Sequence, residues 1–189
     1  MIMRHKILLS AAAASFALVC GAGPALAQSQ TGTVLVNGTV ANRCLFVTGD
    51  VVLDLGELAL LSGDTAALGR LDASKVTSRT ATLNGWCNGV SASMAVEALP
   101  ILNTSFTDAA PSGFDRRIDY TATATAQPTG GAVSASDSTL ASGGGTASTT
   151  GIFSSDITVS FATPATPTGG RLIAGSYAGS VVVTLSPVT

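Results

Sequence analysis

The sequence predicts an all-β sandwich, and three observations support this fold class. Segments in which apolar and polar residues alternate recur along the chain, which is the pattern of a strand with one buried face. Gly, Asn, Asp and Pro separate these segments at short intervals, as they do in sandwiches of short strands. Signals for helix are almost absent. We predict about seven strands in one domain.

Each alternating segment has one face of apolar or small residues. Thr31–Val40 places glycine or valine at every second position, and Leu58–Leu71 is less regular, with room for one helical turn. The predicted strands are Thr31–Val40, Cys44–Val47, Val51–Leu55, Lys75–Trp86, Ser91–Leu99, Arg117–Ala126, Ile152–Phe161 and Ser176–Leu185. In the last four of these strands, one face would point into the core. In chain order, these faces are Ala92, Met94 and Val96; Ile118, Tyr120, Ala122 and Ala124; Phe153, Ile157, Val159 and Phe161; and Tyr177, Gly179, Val181, Val183 and Leu185.

One stretch between strands has low complexity. Gln127–Gly151 consists mostly of Gly, Ser, Ala and Thr and offers little apolar area to bury. We predict a long mobile loop there, with a polar hairpin as the alternative.

The first 27 residues have the features of a secretory signal. A basic start, Met1–Lys6, precedes the apolar Ile7–Val19, and Ala25-Leu26-Ala27 is a small-x-small cleavage site. An uncleaved anchor helix is the alternative, but glycine and proline end the apolar run early. No later apolar run approaches spanning length, so we expect an exported chain whose mature part has no membrane span.

Composition excludes several kinds of chemistry. The formal net charge is −2 and only 11% of residues are charged, so we expect no electrostatic attraction to nucleic acid or anionic membranes. The single histidine, His5, lies in the predicted signal, which removes histidine-dependent catalysis and His-ligated metal. We therefore expect no enzyme, no cofactor and no metal. A surface of such low charge is suited to packing against copies of the same chain.

Two cysteines, Cys44 and Cys87, follow the predicted signal. An even number in an exported chain favours a disulfide, with two free buried thiols as the alternative. Trp86 lies beside Cys87, and we expect its ring to pack in the core on the disulfide. A sugar-binding platform is the other interpretation of Trp86.

Two further patterns carry weaker signals. Asp115 and Asp119 flank two arginines, which favours local ion pairs over the paired carboxylates of glycoside hydrolysis. Asn37-Gly38-Thr39 and Asn103-Thr104-Ser105 match the glycosylation sequon, a short pattern that also arises by chance.

Both ends of the chain resemble a known family. The stretch from Gly32 to Cys44 resembles the N-terminus of chaperone–usher pilus subunits, which run G-T-V-x-apolar-x-G-x-V before their first cysteine. Cys87 is similar to their second cysteine, and Arg117–Ala122 resembles their mid-domain strand. Ala174–Leu185 is similar to the final strand of pilins and of spore-coat-U-like subunits. Many pilins carry an aromatic residue just before the C-terminus, whereas this chain has none after Tyr177.

The resemblance implies an immunoglobulin-like sandwich that is incomplete and is completed by a donor strand from a neighbouring subunit. On this basis residues 1–27 are the signal, 28–42 the donor-strand extension and 43–189 the pilin domain. The inserted face would be Val34, Val36, Gly38 and Val40, and the acceptor groove would contain Val181, Val183 and Leu185.

The function implied is that of a structural pilus subunit at the cell surface. Its partners would be other copies of itself in a filament, with a periplasmic chaperone and an outer-membrane usher during assembly. Two alternatives stay open. Residues 31–40 would be the first strand of a self-contained sandwich, or the protein would be a small secreted adhesin or lectin that binds a host or surface ligand.

Overall fold

The computed structural model describes residues 29–150 and 152–188. The predicted signal, residues 1–27, lies outside this part of the chain. Residues 29–39 and residues 40–188 are two separate units. Residues 29–39 contain no helix or strand.

The prediction of an all-β fold is confirmed. The described residues form ten strands and one helical turn, and three of the strands have only two or three residues. The elements are β1 (Cys44–Phe46), α1 (Ser74–Thr77), β2 (Thr80–Cys87), β3 (Ser91–Asn103), β4 (Phe114–Asp115), β5 (Arg117–Ala126), β6 (Val133–Ser138), β7 (Gly145–Thr150), β8 (Phe153–Ala165), β9 (Arg171–Leu172) and β10 (Tyr177–Pro187).

Eight of these strands form one antiparallel sheet in the order β1-β2-β8-β5-β3-β10, to which β6 adds on β5 and β7 on β3. On the side of β3 that faces away from β10, the partner changes along the strand: Ser91–Val96 pairs with β7, and Ile101 and Leu102 pair with β5. The sheet therefore bends over on itself into a nearly closed sandwich. The two short strands β4 and β9 pair separately, in parallel.

The core lies between the inner faces of β3, β5 and β8. Met94, Ile118 and Ile157, one from each strand, are fully buried. Alternate residues of these strands point inward as predicted, because the period-two pattern decides which face is buried. The buried hydrophobic side chains of the three strands are Ala92, Met94, Val96, Ala98, Ile101, Ile118, Tyr120, Ala122, Ala124, Ala126, Phe153, Ile157 and Val159.

The prediction of a long mobile loop at Gln127–Gly151 is wrong. This stretch contains β6, which pairs with β5, and β7, which pairs with β3. Its small residues permit a close approach of backbones: a Cβ on Gly145 would collide with the carbonyl of Ser136. Hydroxyl pairs replace apolar contacts on the outer face, with Thr123 Oγ1 at 2.8 Å from Ser136 Oγ and Thr125 Oγ1 at 2.8 Å from Ser134 Oγ.

Three smaller predictions also fail. Val51–Leu55 forms no strand, and Lys75–Trp86 begins as the helical turn α1 before β2. Trp86 is half-buried on the outer face of β2 rather than in the core, because Gly85 and Cys87 occupy the inner face on either side of it.

Candidate functional site: the N-terminal extension and the last strand

Residues 29–39 form an exposed segment with an apolar pattern. Val34, Leu35 and Val36 are 87%, 82% and 90% exposed, and no strand forms at Thr31–Val40. Exposed valines at every second position are unusual in a segment without a partner, because each leaves apolar area in water. The structure therefore leaves the predicted donor face, Val34, Val36, Gly38 and Val40, without a strand partner among the described residues.

Hydrogen bonds hold the chain from Ala41 onward. The Asn88 side chain accepts from the Arg43 backbone N–H at 2.7 Å and donates to the Ala41 carbonyl at 3.0 Å. Asn42 donates from Nδ2 to the Val188 carbonyl at 3.2 Å, which ties the start of β1 to the end of β10.

The predicted disulfide is confirmed. Cys44 in β1 is bonded to Cys87 at the end of β2, and the two residues are also register partners. The bridge therefore reinforces the only strand pairing that β1 makes within the described residues. Disulfides are typical of oxidising compartments outside the cytoplasm.

Strand β10 lies at the end of the sheet and pairs along one side only. Its partner is β3, from Tyr177 opposite Asn103 to Pro187 opposite Ala92. No strand within residues 29–150 or 152–188 pairs with the other side, which we name the open edge. A long strand with unpaired backbone groups is a template for pairing with another chain.

The core is incompletely covered at the open edge. Val181, Val183 and Leu185 alternate inward as predicted and pack against the core, but they are only half-buried. By contrast, Met94 and Val96 on the neighbouring β3 are 0% and 1% exposed. Apolar area on the inner face of β10 thus remains in water. That these three residues receive a donor strand stays a prediction.

The two ends of the open edge differ. Near its C-terminal end, β10 lies against β1 and β2, since a Cβ built on Gly85 would lie 3.0 Å from Leu185 Cδ1 and 3.3 Å from Phe46 Cδ1. At the other end the register shifts between Ala178 and Ser180. Gly179 lies at this irregularity. Only glycine fits there, because a Cβ would lie 2.8 Å from Ile101 Cγ1 and would clash with it.

The buried side chain of Tyr120 makes a hydrogen bond from the core to this irregular end of β10. Its hydroxyl shares its one proton between the carbonyls of Leu99 at 2.7 Å and Ser180 at 3.1 Å, and its ring lies 5.6 Å from that of Phe161. Burial raises the pKa of Tyr120 to about 12, and the negative charge of Asp137 contributes to the rise. A hydroxyl that stays protonated remains a donor to both strands.

Buried carboxylates serve as structural clamps. Asp119 binds Arg117 through both of its oxygens, and its Oδ1 also accepts from Thr139 Oγ1 at 2.7 Å, so the predicted ion pair with a neighbouring arginine is confirmed here. The hydrogen bonds that Arg117 donates to Asp119 raise the pKa of Arg117.

Asp115 makes a different set of contacts from the arginine pairs predicted. It accepts hydrogen bonds from Thr168 Oγ1 at 2.8 Å and the Gly170 backbone N–H at 2.7 Å. Burial by itself would raise the pKa of Asp115, but these hydrogen bonds and one from Thr166 outweigh it, so the pKa is lowered. The oxygens of Asp115 and Asp119 therefore accept hydrogen bonds that join separate segments of the chain.

Asp137 is a buried residue that the sequence interpretation missed. Its Oδ2 accepts from the Ala98 backbone N–H at 2.7 Å, at the point where β3 passes from β7 to β5. The Asp137 carboxylate thus accepts from a buried backbone N–H of β3 that neither β7 nor β5 pairs with. The only sequence signal was a single carboxylate within a run of Ser and Ala.

Other sites are absent from the described residues or are small. No cluster of three or more His, Cys, Asp or Glu residues that could hold a metal occurs in the described chain. Two surface depressions have volumes of 240 Å³ and 200 Å³, below the roughly 300–1,000 Å³ of ligand pockets. Among the helices described, none has the length and apolar character to cross a membrane.

Comparison of the chain with protein-family models, curated proteins and solved structures gave no match.

Proposed function

We propose that this protein is the structural subunit of a surface pilus of the chaperone–usher type, and that its copies polymerise by donation of a strand. The observation that carries the proposal is the open edge of β10, with a half-buried apolar inner face and no partner strand in the described chain. The N-terminal extension of a second copy is the proposed occupant.

The extension has the chemistry that this edge needs. Strand addition obtains affinity from main-chain hydrogen bonds and specificity from alternate side chains. Val34, Val36 and Val40 share one face of an extended chain, and the inward residues of β10 repeat at the same period of two. Burial of each of these three valines would contribute up to about 1.5–3 kcal/mol to the free energy of association.

Gly38 would lie where the two backbones approach closely. On the inserted face, Gly38 lies between Val36 and Val40. In the free chain, no atom lies within 4 Å of a Cβ built on Gly38. A side chain at this position would therefore interfere with insertion and not with the folding of the single subunit.

The same edge implies the partners of assembly. A subunit with an uncovered edge is prone to premature pairing in the periplasm. A periplasmic chaperone would cover the edge until an outer-membrane usher exchanges it for the extension of the next subunit. The confirmed disulfide fits this route, since the periplasm is oxidising.

Deletion of residues 28–40 tests the proposal. We expect the shortened subunit to fold as a monomer, because residues 40–188 form a unit without the extension, and to lose the ladder of oligomers that resists mild denaturant. A peptide of residues 31–41 should restore stability in trans. The oligomers are measured by size-exclusion chromatography and unheated electrophoresis.

Adjacent positions of the extension provide a matched control. Val36→Asp would put a charge on the inserted face, whereas Leu35→Asp would put it on the opposite face, and both side chains are exposed in the free chain. Only Val36→Asp should block polymerisation. Equal assembly of both variants, or loss of the fold on deletion of 28–40, would support the self-contained sandwich instead.

A small adhesin or lectin is the second candidate. Trp86 lies on the outer face of β2 opposite Leu45, which is 53% exposed, and this outward aromatic surface is compatible with stacking on a sugar ring. This function predicts a clean monomer that binds glycans on an array and loses binding with Trp86→Ala.

A further inference from the structure

Three Asn-Gly pairs occur in the described chain, and their surroundings differ sharply. They are Asn37-Gly38, Asn84-Gly85 and Asn88-Gly89. Asn-Gly is the dipeptide in which the backbone nitrogen of glycine most readily reaches the asparagine side chain, because glycine has no Cβ in the way. Whether the attack occurs depends on the freedom of the local backbone and of the amide.

The second and third pairs are held in place. Asn84 lies in β2 opposite Asp156, donates from Nδ2 to Asp156 Oδ1 at 3.0 Å, and its backbone N–H donates to Thr48 Oγ1 at 2.9 Å. Both ends of the Asn88 amide are hydrogen-bonded, to Arg43 and Ala41, and its backbone N–H donates to the Arg43 carbonyl at 3.1 Å. Neither side chain is free to rotate toward the following nitrogen.

The first pair has none of these restraints. Asn37 is exposed, lies in no helix or strand, and makes no hydrogen bond within the part of the chain that the structure describes. The space around Gly38 is open, with nothing within 4 Å of a Cβ built on it.

We propose that Asn37 is a site of spontaneous deamidation that limits how long a free subunit remains competent for assembly. The Gly38 nitrogen loses its proton and attacks Asn37 Cγ, and the side-chain nitrogen leaves as ammonia, which closes a succinimide ring. Water then opens the ring at either carbonyl, to give aspartate or isoaspartate. Since the attacking nitrogen is deprotonated, the rate rises with pH.

The two products have different consequences for the extension, and this step rests on the proposed function. Asn37 belongs to the face opposite the inserted valines, so aspartate leaves Val34, Val36 and Gly38 in line and its charge in solvent. Isoaspartate adds one backbone carbon between residues 37 and 38. That insertion rotates Val40 away from the face of Val34 and Val36, and a strand out of register by one position presents the wrong side chains.

The site itself is tested by ageing the purified mature subunit in mildly alkaline buffer and mapping its peptides by mass spectrometry. We expect loss of the amide at Asn37 to exceed that at Asn84 and Asn88 by roughly tenfold or more, and Gly38→Ala to slow it by a similar factor. Subunits recovered from polymers should keep the Asn37 amide, since an inserted strand cannot reach the geometry of attack. Equal rates at the three asparagines would overturn the proposal.

The consequence is tested by competition between fresh and aged subunits for incorporation into polymer. Isoaspartate at Asn37 should be depleted in the polymer, whereas the genetic variant Asn37→Asp should assemble like the unaltered chain. Equal incorporation of isoaspartate molecules would overturn the limit on assembly. If fresh subunits form no polymer, the proposed function fails, while the peptide map still decides whether Asn37 is the reactive site.

Discussion

At the scale of single residues, Tyr120 links the core to the candidate site. It is 3% exposed, and its hydroxyl joins the carbonyls of Leu99 and Ser180 on adjacent strands. The alternation in Arg117–Ala126 predicted that Tyr120 points inward. It gave no information about the two acceptors, because both are backbone groups brought near Tyr120 only by the pairing of β3 with β10.

Replacement of Tyr120 by Phe should lower the free energy of unfolding by about 1–3 kcal/mol, because the carbonyls of Leu99 and Ser180 lose the hydroxyl proton that they share. Tyr177→Phe is the control, since that hydroxyl makes one hydrogen bond, to the Ile173 carbonyl at 2.8 Å. Denaturant titration measures both variants. A Tyr120→Phe variant as stable as the unaltered protein would show that the two hydrogen bonds contribute nothing.

Tyr120 also predicts a loss of stability in alkali. Its pKa rises from 10.0 to about 12 on folding, so the folded chain holds this proton over a range in which the unfolded chain releases it. The stabilisation is complete below pH 10.0 and is lost as the pH rises through about 12. Tyr120→Phe should remove this part of the pH dependence, as measured by unfolding at several alkaline pH values. An unchanged slope would contradict the assignment to Tyr120.

At the scale of elements, the predictability of each strand follows from its side chains. Strands β3, β5 and β8 bury Met94, Ile118 and Ile157 among alternating polar residues, so their pattern is visible. Strands β6 and β7 were missed because β6 buries only Ala135 and Asp137, an alanine and a carboxylate, and β7 is built of glycine, alanine and hydroxyl residues. Their pairing depends on close backbone approach, which composition alone does not reveal.

The inner face of β10 should be sensitive to charge and its outer face should not. Val183→Asp would put a carboxylate against the core and should lower both stability and polymerisation, because an unpaired charge there is costly. Val182→Asp is the matched control, since its side chain is 47% exposed on the other face. Thermal unfolding and electrophoresis of oligomers measure the two effects. Normal folding and polymerisation of Val183→Asp would contradict the inward placement.

The disulfide should be important for the short strand β1. Loss of the Cys44–Cys87 bond should cost roughly 2–5 kcal/mol of unfolding free energy, since β1 has three residues and pairs with β2 alone among the described strands. The double variant Cys44→Ala, Cys87→Ala avoids a stray thiol. Denaturant midpoints with and without reductant give the comparison, and identical midpoints would show that the bond does not stabilise the fold.

At the scale of the whole molecule, the extension and the open edge together form the proposed assembly device. The alternation of residues 31–40 and 176–185 was visible in the sequence, and so was the disulfide. The order of strands was not, because β10 pairs with β3, which lies far away along the chain. Only that order reveals that one side of β10 has no strand partner among the described residues.

Hydrogen exchange of the backbone amides of residues 177–186 tests the central claim most directly. The shortened subunit lacking residues 28–40 is measured with and without a peptide of residues 31–41, and a peptide carrying Val36→Asp is the control. If the extension of one copy completes the sheet of the next, the unaltered peptide should slow exchange along β10 by roughly tenfold or more, because free N–H groups become paired, and the control peptide should not. Unchanged exchange along β10 with either peptide would contradict donation of a strand.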